Sequence, residues 1–386
     1  MSIQLFKPTF HIEECLDQIR ECLEMGWTGL GFKTVEFENK WNEYTGHNYS
    51  HYLNSATAGL HLAVEILKRE NGWQDGDEII TTPITFISTN HAILYSNLTP
   101  KFADVDQYLC LDPVDVRKKI SNRTRAIIFV GYGGRVGQLE EILKICKEYG
   151  LKLILDAAHM GGTRMEGRFP GTLPGVDVAV YSFQAVKNLP TADSGMICFA
   201  DEVNDHIVRE LSWLGINKDT YARSNLKGNY KWKYDVEYVG YKAHGNSVIA
   251  SIGLVQLKYL DEDNAARRNM AALYDKLFAN NPNVHPIPVN YKDECSYHIY
   301  AVEVDNREAL MKALNDSDIY PGVHYLDNTE YHIYSHDHGT CPNAHRISNR
   351  IISLPLHLRL TKQDIQLVSD IVNQFTQNAC YVSSKA

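Results

Sequence analysis

The chain has 386 residues, of which 44% are hydrophobic and 22% charged, with 25 glycines and 13 prolines. These values are typical of globular proteins and exclude collagen-like, disordered and coiled-coil chains. Lysine and arginine number 38 against 47 aspartates and glutamates, a net charge of −9, so no general positive field attracts nucleic acid or an anionic membrane. At about 150 residues per domain, the length predicts two or three domains, or one large domain with an appendage.

The cysteines and the first residues predict the compartment. The eight cysteines are scattered, without a C-x-x-C pair or the dense spacing of small disulfide-rich domains. The opening residues, M-S-I-Q-L-F-K-P, lack a basic and then apolar signal pattern, and no apolar run approaches the roughly 20 residues that span a bilayer. We therefore expect a cytoplasmic protein that does not enter a membrane.

Residues 50–200 alternate short apolar runs with amphipathic stretches. The predicted strands are D-E-I-I-T-T, T-P-K-F-A-D-V-D, R-A-I-I-F-V-G, L-K-L-I-L-D-A, V-D-V-A-V-Y-S-F and G-M-I-C-F-A, and helical segments such as Leu139–Lys147 separate them. This alternation predicts an α/β domain with a mainly parallel sheet and helices on both faces. Its first helix should start near Ser55 or Thr57, because N-S-A-T-A-G offers capping side chains ahead of L-H-L-A-V-E-I-L.

The C-terminal part has a different organisation. Residues 247–280 have helical periodicity with few helix-breaking residues, and a final periodic segment runs from Thr361 to Phe375. We place the domain change on the long helix. Residues 1–250 are then a large α/β domain, and residues 251–386 contain the connecting helix and a smaller C-terminal domain.

Three features fall at one edge of the predicted sheet, because parallel strands bring their carboxyl ends to the same rim. They are the helix N-terminus at Ser55–Gly59, Asp156 at the end of L-I-L-D, and Lys187 at the end of Y-S-F-Q-A-V-K. A pyridoxal phosphate (PLP) site uses such parts: helix N–H groups for the phosphate, a carboxylate for the pyridinium nitrogen and a lysine for the Schiff base. Each part alone also has a structural explanation, as a helix cap or a surface lysine.

Longer strings favour the cofactor site. Six strings resemble the DegT/StrS family of PLP-dependent sugar aminotransferases, in the family's order and across nearly the whole chain. They are S-A-T-A-G-L-H-L-A, D-E-I-I-T-T-P-I-T-F-I-S-T-N, D-A-A-H, Y-S-F-Q-A-V-K-N-L, G-L-V-Q-L-K-Y-L-D-E and S-L-P-L-H-L-R-L-T. The resemblance implies the fold type I architecture, in which a large α/β domain holds the cofactor and a smaller C-terminal α/β domain closes over it. It also implies transamination, in which glutamate, the usual donor, loads the cofactor and a carbonyl sugar accepts the amine.

The resemblance also implies roles for individual residues. Lys187 matches the Schiff-base lysine, which doubles as general base, and Asp156 matches the partner of the ring nitrogen. Phe86 matches the aromatic residue that stacks on the ring, and His159 a position beside the ring oxygen. The remaining matches are the phosphate cradle of Ala56, Thr57 and Ser182 and the substrate-side pair His324 and Tyr325.

One position departs from the family pattern. The stretch Gly240–His244 reads G-Y-K-A-H where many relatives read G-Y-N-Y-R, so Lys242 replaces the asparagine that reaches the phosphate of the neighbouring subunit's cofactor. A lysine ammonium can serve a phosphate through charge. The resemblance thus implies a homodimer with shared active sites, in which Lys242 acts on the partner's cofactor.

The segment Lys218–Lys242 mixes six basic residues with aromatic ones. That combination occurs on nucleic-acid surfaces, but K-W-K-Y-D-V-E-Y-V alternates as a half-exposed strand does. We interpret most of it as a solvated hairpin and expect no nucleic-acid partner. In the family this segment reaches toward the partner's site, where one or two cations would meet an anionic substrate or the donor's carboxylate.

Two other motifs receive structural interpretations. The string G-Y-G-G-R-V-G at residues 131–137 has the spacing of a dinucleotide turn but follows a late strand, so we predict a tight turn before a helix near Gln138. The stretch Y-H-I-Y-S-H-D-H-G-T-C offers the usual zinc ligands, imidazole and thiolate, from His332, His336, His338 and Cys341. We interpret it as a polar loop before the helix P-N-A-H-R-I-S-N-R and expect no metal.

The resemblance therefore implies an enzyme that aminates a keto or aldehyde sugar for a surface glycan such as lipopolysaccharide. Most relatives act on nucleotide-linked keto-deoxysugars. A free sugar acid, such as a 3-deoxy-octulosonate derivative, stays open as the substrate, since Lys242 and the basic segment offer partners for a carboxylate. A catalytically idle regulator with this fold is the alternative from another class, and the presence of both Lys187 and Asp156 argues against it.

Overall fold

The structure is a computed structural model that describes residues 2–218, 221, 233–290 and 292–383, with side chains described to residue 377. Its strands are β1 (Ile3–Gln4), β2 (Tyr49–Leu53), β3 (Glu78–Thr81), β4 (Thr99–Phe102), β5 (Thr124–Val130), β6 (Lys152–Asp156), β7 (Arg164–Met165), β8 (Val178–Ser182), β9 (Gly195–Phe199), β10 (Val284–Pro286), β11 (Asp293–Glu294), β12 (Tyr300–Val304), β13 (Ile319–Tyr320) and β14 (Ile351–Leu354). Its helices are α1 (Ile12–Met25), α2 (Phe32–Thr45), α3 (Ala56–Asn71), α4 (Ser88–Tyr95), α5 (Pro113–Lys119), α6 (Leu139–Tyr149), α7 (Glu202–Ser212), α8 (Ser247–Phe278), α9 (Arg307–Asn315), α10 (Pro342–Ser348) and α11 (Lys362–Ser383).

A seven-stranded sheet with the order β2-β9-β8-β6-β5-β3-β4 lies at the centre of the larger part. Strands β4, β3, β5, β6 and β8 pair in parallel, whereas β9 runs antiparallel to both β8 and β2. The apolar run of β5 explains its central place, because its side chains alternate between two separate cores. Ala126 and Ile128 face one core, and Ile127 and Phe129 face the other. The predicted mainly parallel sheet is confirmed.

Helices cover both faces of this sheet. Leu60 of α3, Ile93 of α4 and Val208 of α7 belong to one core, and side chains of α2, α6 and α8 belong to the other. Helix α3 lies very close to β8: a Cβ at Gly59 would approach Cγ1 of Val180 to 2.7 Å. Only a residue without a side chain allows this distance. The α/β class is therefore confirmed.

The C-terminal part has its own small core on a three-stranded antiparallel sheet, β10-β12-β14. Helix α8 contributes to two cores, with Leu254 in the large one and Tyr274 in the small one. The predicted domain boundary near residue 250 falls inside α8 and stays a prediction. The first strand, β1, pairs with β13 of the C-terminal part. This pairing brings the residues that follow β1 toward the edge of the large sheet.

The structure bears on three further expectations. The glycine-rich string at 131–137 forms a 3₁₀ turn at Tyr132–Gly134 ahead of α6, whose N-cap is Gln138, as predicted. Of the basic segment, residues 219–220 and 222–232, including Arg223, Lys227 and Lys231, lie outside the described residues, so its hairpin interpretation stays a prediction. Within the described ranges, no helix is both long and apolar enough to cross a membrane.

Candidate active site

The topology of the large sheet brings several strand ends together. Asp156 is the last residue of β6, which pairs in parallel with β8, and Lys187 follows β8 after a short connection. Strands β2 and β8 are both antiparallel to β9, so β2 runs in the same direction as β8. The helix N-terminus after β2 and the loop after β3 therefore reach the same edge as Asp156 and Lys187.

A cavity of ≈ 720 Å³ lies at this edge. Its lining includes nearly all of the residues that the sequence singled out, namely Ala56, Thr57, Phe86, Asp156, His159, Ser182, Lys187, His324 and Tyr325. Lys242 is not among the lining residues. The structure thus gathers residues that follow β2 and β3, the last residues of β6 and β8, and residues of the C-terminal part around one space.

Asp156 is a buried carboxylate with two hydrogen-bond donors. Thr89 Oγ1 donates to Oδ2 at 2.7 Å, and the backbone N–H of Ala158 donates to Oδ1 at 3.1 Å. Burial raises the pKa of Asp156, while these hydrogen bonds and the charge of Lys187 oppose that rise. The arrangement can hold a carboxylate against a cationic N–H group that enters the cavity.

Lys187 is an amine whose charged form is disfavoured. Burial lowers the pKa of Lys187 to about 8, and the nearby charge of Asp156 opposes this shift. Its Nζ lies 3.4 Å from Nε2 of His298. Burial, together with the charge of Lys187, holds the pKa of His298 well below its usual range, so His298 is neutral and Nε2 accepts the hydrogen bond from Lys187. Near neutral pH, a sizeable fraction of the amine is therefore uncharged and nucleophilic.

His159 connects the glycine-rich turn to Tyr325. The backbone N–H of Gly133 donates to Nδ1 of His159 at 3.2 Å, so the ring proton sits on Nε2. That N–H donates to the Tyr325 hydroxyl at 3.1 Å. Burial and the charge of Lys187 hold the pKa of His159 well below its usual range. The hydroxyl proton of Tyr325 is left to donate to a ligand.

Phe86 offers an aromatic face to the cavity. It is 60% exposed, and its ring centroid lies 6.4 Å from that of Tyr325. A phenylalanine of the hydrophobic core would be buried, so Phe86 does not serve as a core residue. His324, on the same wall as Tyr325, shares a hydrogen bond of 2.9 Å with Ser353 Oγ, and burial lowers its pKa to about 4.

The first turn of α3 provides donors for an anion. Ser55 caps the helix by accepting a hydrogen bond from the Ala58 N–H at 3.1 Å. The N–H groups of Ala56 and Thr57 belong to this turn and have no acceptor within the helix. A Cβ at Gly195 would lie 2.6 Å from the nitrogen of Ala56, so glycine is what allows β9 to pack against this turn. Together with the Ser182 hydroxyl, these groups fit a phosphate.

Lys242 lies outside the cavity of its own chain. Its Nζ is 3.4 Å from the centroid of the Trp213 ring, and its carbonyl accepts a hydrogen bond from Asn54 Nδ2 at 3.3 Å. The backbone of Lys242 is thereby tied to the segment just before α3, while the side chain stays exposed. Its expected action on a partner's phosphate stays a prediction.

Sequence reasoning missed two aromatic residues at the site. His298 contacts Lys187, and Phe6 stacks on His298 with ring centroids 5.3 Å apart and planes 3° from parallel. His298 was visible only as part of the strand-like string H-I-Y-A-V-E-V, and Phe6 only as an apolar residue near the start of the chain. Thr89, which contacts Asp156, lies within the quoted string I-S-T-N but was not singled out.

Comparisons with known proteins agree with this geometry. The family model of the DegT/DnrJ/EryC1/StrS aminotransferases matches residues 10–373. The chain belongs to this family. It is 32% identical over 379 residues to the spore coat polysaccharide biosynthesis protein SpsC of Bacillus subtilis (strain 168). It is 33% identical over 376 residues to a dTDP-4-dehydro-2,3,6-trideoxy-D-glucose 4-aminotransferase of Saccharopolyspora spinosa. Each match covers 95% of both chains. Among solved structures, the aminotransferase TlmJ of Streptoalloteichus hindustanus is similar, with a TM-score of 0.88 and 32% identity, over 97% of this chain and 98% of that one.

Membership settles the fold, the class of reaction and the cofactor. DegT/DnrJ/EryC1/StrS aminotransferases are PLP-dependent sugar aminotransferases with the fold type I architecture, and so is this enzyme. The donor set of the cavity fits PLP independently of the comparison. It combines a helix N-terminus for the phosphate, a buried carboxylate for the ring nitrogen and an amine with a lowered pKa.

Proposed function

We propose that this aminotransferase moves an amino group from glutamate to the carbonyl group of a nucleotide-linked keto-deoxysugar used to build a surface glycan, with Lys187 and Asp156 as its catalytic residues. The observation that carries the proposal is that Lys187, Asp156 and the first turn of α3 line one cavity. Separate structural roles, as a helix cap or a surface lysine, would not explain why these groups lie together around one cavity. An idle regulator would not need a lysine with a lowered pKa opposite a buried carboxylate.

The chain's residues would hold PLP from several sides. The first turn of α3 and Ser182 would bind the phosphate, Asp156 the ring nitrogen, and Phe86 one face of the ring. His159 would lie beside the ring oxygen. PLP, when bound, supplies an electron sink that weakens the Cα–H bond of the amino donor.

The residues around Lys187 suit it to move a proton. Its Nζ takes the proton from Cα of the donor, because burial lowers its pKa to about 8 and leaves part of the amine uncharged near neutral pH. The neutral His298 accepts a hydrogen bond from Nζ and thereby fixes the direction in which the amine points. His324 and Tyr325 lie on the facing wall of the cavity, where they would bind the hydroxyl groups of the sugar.

The name of one relative supports a nucleotide-linked substrate, since that protein is called an aminotransferase of a dTDP-linked trideoxy-glucose. The alternative substrate, a free sugar acid, depended on Lys242 and the basic segment. None of the relatives reported above is named for a free sugar acid. We therefore prefer the nucleotide-linked sugar.

We also propose that two copies share their active sites. Exposed apolar side chains lie close to Lys242 along the chain, with Val239 at 88% and Tyr241 at 37% exposure, and Leu214, whose N–H bonds to the Tyr241 carbonyl, is 46% exposed. Apolar surface of this kind is typical of protein interfaces. A second copy covering it would bring Lys242 near the partner's cofactor.

The proposal is tested by incubating the PLP-loaded enzyme with glutamate and either a dTDP-linked 4-keto-6-deoxyhexose or a free 3-deoxy-octulosonate-type keto acid. We expect 2-oxoglutarate and an amino sugar nucleotide, both identified by mass spectrometry, and no product with Lys187→Ala. Faster amination of the free acid would contradict the proposed substrate. Absence of 2-oxoglutarate with every acceptor would contradict glutamate as the donor.

A further inference from the structure

A cluster of two carboxylates and two imidazoles lies on the segment that follows Tyr325, away from the reacting groups. Its members, here called the 327–345 cluster, are Asp327, Glu330, His338 and His345. Glu330 ends a 3₁₀ turn, His338 comes after a second one, and His345 lies on α10. The chain therefore leaves this point and returns to it, so a ligand bound here would tie both ends of the loop together.

The separations within the cluster suit metal coordination. Glu330 Oε1 is 2.9 Å from Nδ1 of His345 and 3.1 Å from Nδ1 of His338, and Nδ1 of His345 is 3.9 Å from Asp327 Oδ2. In a tetrahedral zinc site with bonds of about 2.0–2.2 Å, neighbouring ligand atoms are about 3.3–3.6 Å apart. The observed distances lie on both sides of this range, so small rotations of exposed side chains are enough to form the site.

Asp327 provides the second observation. Its side chain is 1% exposed. Oδ1 accepts hydrogen bonds from the backbone N–H and the hydroxyl of Thr329, at 2.8 and 2.7 Å. Oδ2 has no hydrogen-bond donor among the described residues, and it faces the imidazole of His345. Thr329 thus holds the carboxylate in place through Oδ1, and Oδ2 is the oxygen left to accept a ligand from the side of His345.

Ion pairing alone does not explain this arrangement. Protonated histidines would pair with Glu330, which His338 and His345 both contact within hydrogen-bond distance. They would leave Asp327 Oδ2 at 3.9 Å from the nearest imidazole nitrogen, beyond hydrogen-bond range. A metal ion between the three groups satisfies Oδ2 as well.

We propose that Asp327, Glu330 and His345 bind one Zn²⁺ ion, and that the exposed His338, which contacts Glu330, turns toward the ion as fourth ligand. Imidazole ligands favour zinc and its neighbours over Ca²⁺ and Mg²⁺, which prefer oxygen ligands. The ion has a structural role, because Tyr325, Leu326 and Tyr331 on the same segment line the catalytic cavity. Binding at the cluster fixes this wall without taking part in amino transfer.

This inference departs from the expectation for the histidine-rich loop. The sequence indicated His332, His336, His338 and Cys341 as the conceivable ligands, and we expected no metal. In the described chain these four do not gather, and the group whose ligand atoms all lie within 4.8 Å of one another is Asp327, Glu330 and His345. Cys341 is buried, with its sulfur next to the Thr340 hydroxyl. Of the four, His338 is the one that contacts this group, through Glu330.

The test uses the full-length, PLP-loaded enzyme, stripped of metal with a chelator and titrated with Zn²⁺ by calorimetry. We expect one ion per chain and a melting temperature that rises with Zn²⁺ concentration. His345→Gln and Glu330→Gln should each weaken binding about tenfold or more. Both side chains are more than 40% exposed, at 47% and 42%, so these variants should fold. The matched control is His336→Gln, a 62% exposed neighbour outside the cluster, which should bind Zn²⁺ as the parent does.

Several outcomes would overturn the proposal. They are the absence of Zn²⁺ binding by the parent, unchanged binding in both variants, an equal loss of binding in His336→Gln, or tighter binding of Ca²⁺ than of Zn²⁺. Far-UV circular dichroism of each variant separates a lost ligand from a lost fold. Because the readouts are metal binding and melting temperature, a failure here leaves the proposed sugar substrate untouched, and the reverse also holds.

Discussion

At the scale of single residues, the site depends on how burial shifts the charges of Lys187, Asp156 and His298. Burial favours the neutral form of each group, which lowers the pKa of the amine and the imidazole and raises that of the carboxyl. The charges of Lys187 and Asp156 stabilise each other and limit both shifts. The pair is therefore ready for chemistry near neutral pH without either group being locked in one charge state.

The lowered pKa of Lys187 predicts how the apoenzyme takes up its cofactor. The neutral amine is the nucleophile, and it predominates above a pKa of about 8 instead of above the usual value near 10.4. The rate of PLP uptake, followed by absorbance after mixing, should rise with pH through about 8 and then level off. A rise centred near pH 10 would mean that the amine is solvated and that its burial has no effect on reactivity.

Asp156→Asn should slow amino transfer by about two orders of magnitude or more, since the amide keeps the shape but lacks the charge that holds a proton on the ring nitrogen. Steady-state rates with glutamate measure this effect, and PLP content should fall only modestly. The matched control is Thr89→Val, which removes one hydrogen bond to Oδ2 and should cost far less. Asp156→Asn activity within about threefold of the parent, under 1 kcal/mol of barrier, would contradict the role of the carboxylate.

At the scale of elements, the N-terminus of α3 links helix capping to cofactor binding. Ser55→Ala removes the acceptor of the Ala58 N–H and should cost about 0.5–2 kcal/mol of the free energy of unfolding. Because the same turn faces the cavity, PLP affinity should also fall about two- to fivefold, measured by equilibrium titration of the apoenzyme.

Asp201→Ala is the matched control for this variant. Asp201 caps α7 by accepting a hydrogen bond from the Asn204 N–H at 2.9 Å, and it does not line the cavity. The Asp201→Ala variant should lower the free energy of unfolding, measured in urea, by a similar amount and leave the affinity for PLP unchanged. Equal effects of both variants on PLP affinity would show that α3 contributes only through global stability.

Local sequence predicted the elements that carry the site. Helix α3 starts right after the predicted cap at Ser55, β6 ends at Asp156, and the turn at Tyr132–Gly134 precedes α6. Each of these depends on neighbouring residues, such as a cap or an apolar run between polar ends. The apolar spacing predicted that the last helix ends at Phe375, but helix α11 continues to Ser383. A helix that has already formed can be extended by residues without apolar spacing, because each added residue gains a backbone hydrogen bond.

At the scale of the whole molecule, the sequence could not reveal contacts made by distant segments. His298 reaches Lys187 because the segment before β12 lies against the glycine-rich turn, where the His298 N–H donates to the Gly133 carbonyl. Phe6 reaches His298 because β1 pairs with β13. No local spacing encodes either contact. The resemblance to a family indicated nearly all of the candidate residues that line the cavity, but it gave no sign of Asp327 meeting His345 across the loop.

The proposed sharing of sites between subunits predicts complementation. Lys187→Ala and Lys242→Ala should each be strongly impaired, and a hybrid dimer should contain one site with both an intact Lys187 and an intact partner lysine. With complete subunit exchange at equal amounts, activity should recover to about a quarter of that of the parent. Native mass spectrometry confirms the exchange. Hybrids that form but stay inactive would place Lys242 at its own chain's site or at neither.

The central claim is that Lys187 carries the cofactor at the cavity beside Asp156. Borohydride reduction of the PLP-loaded enzyme fixes the cofactor on the amine to which it is joined, and peptide mapping by mass spectrometry then identifies that amine. We expect the label on Lys187, in the peptide that contains Y-S-F-Q-A-V-K, and much less label when glutamate is added before reduction. A label on another lysine, or a label on Lys187 that glutamate does not reduce, would contradict this account.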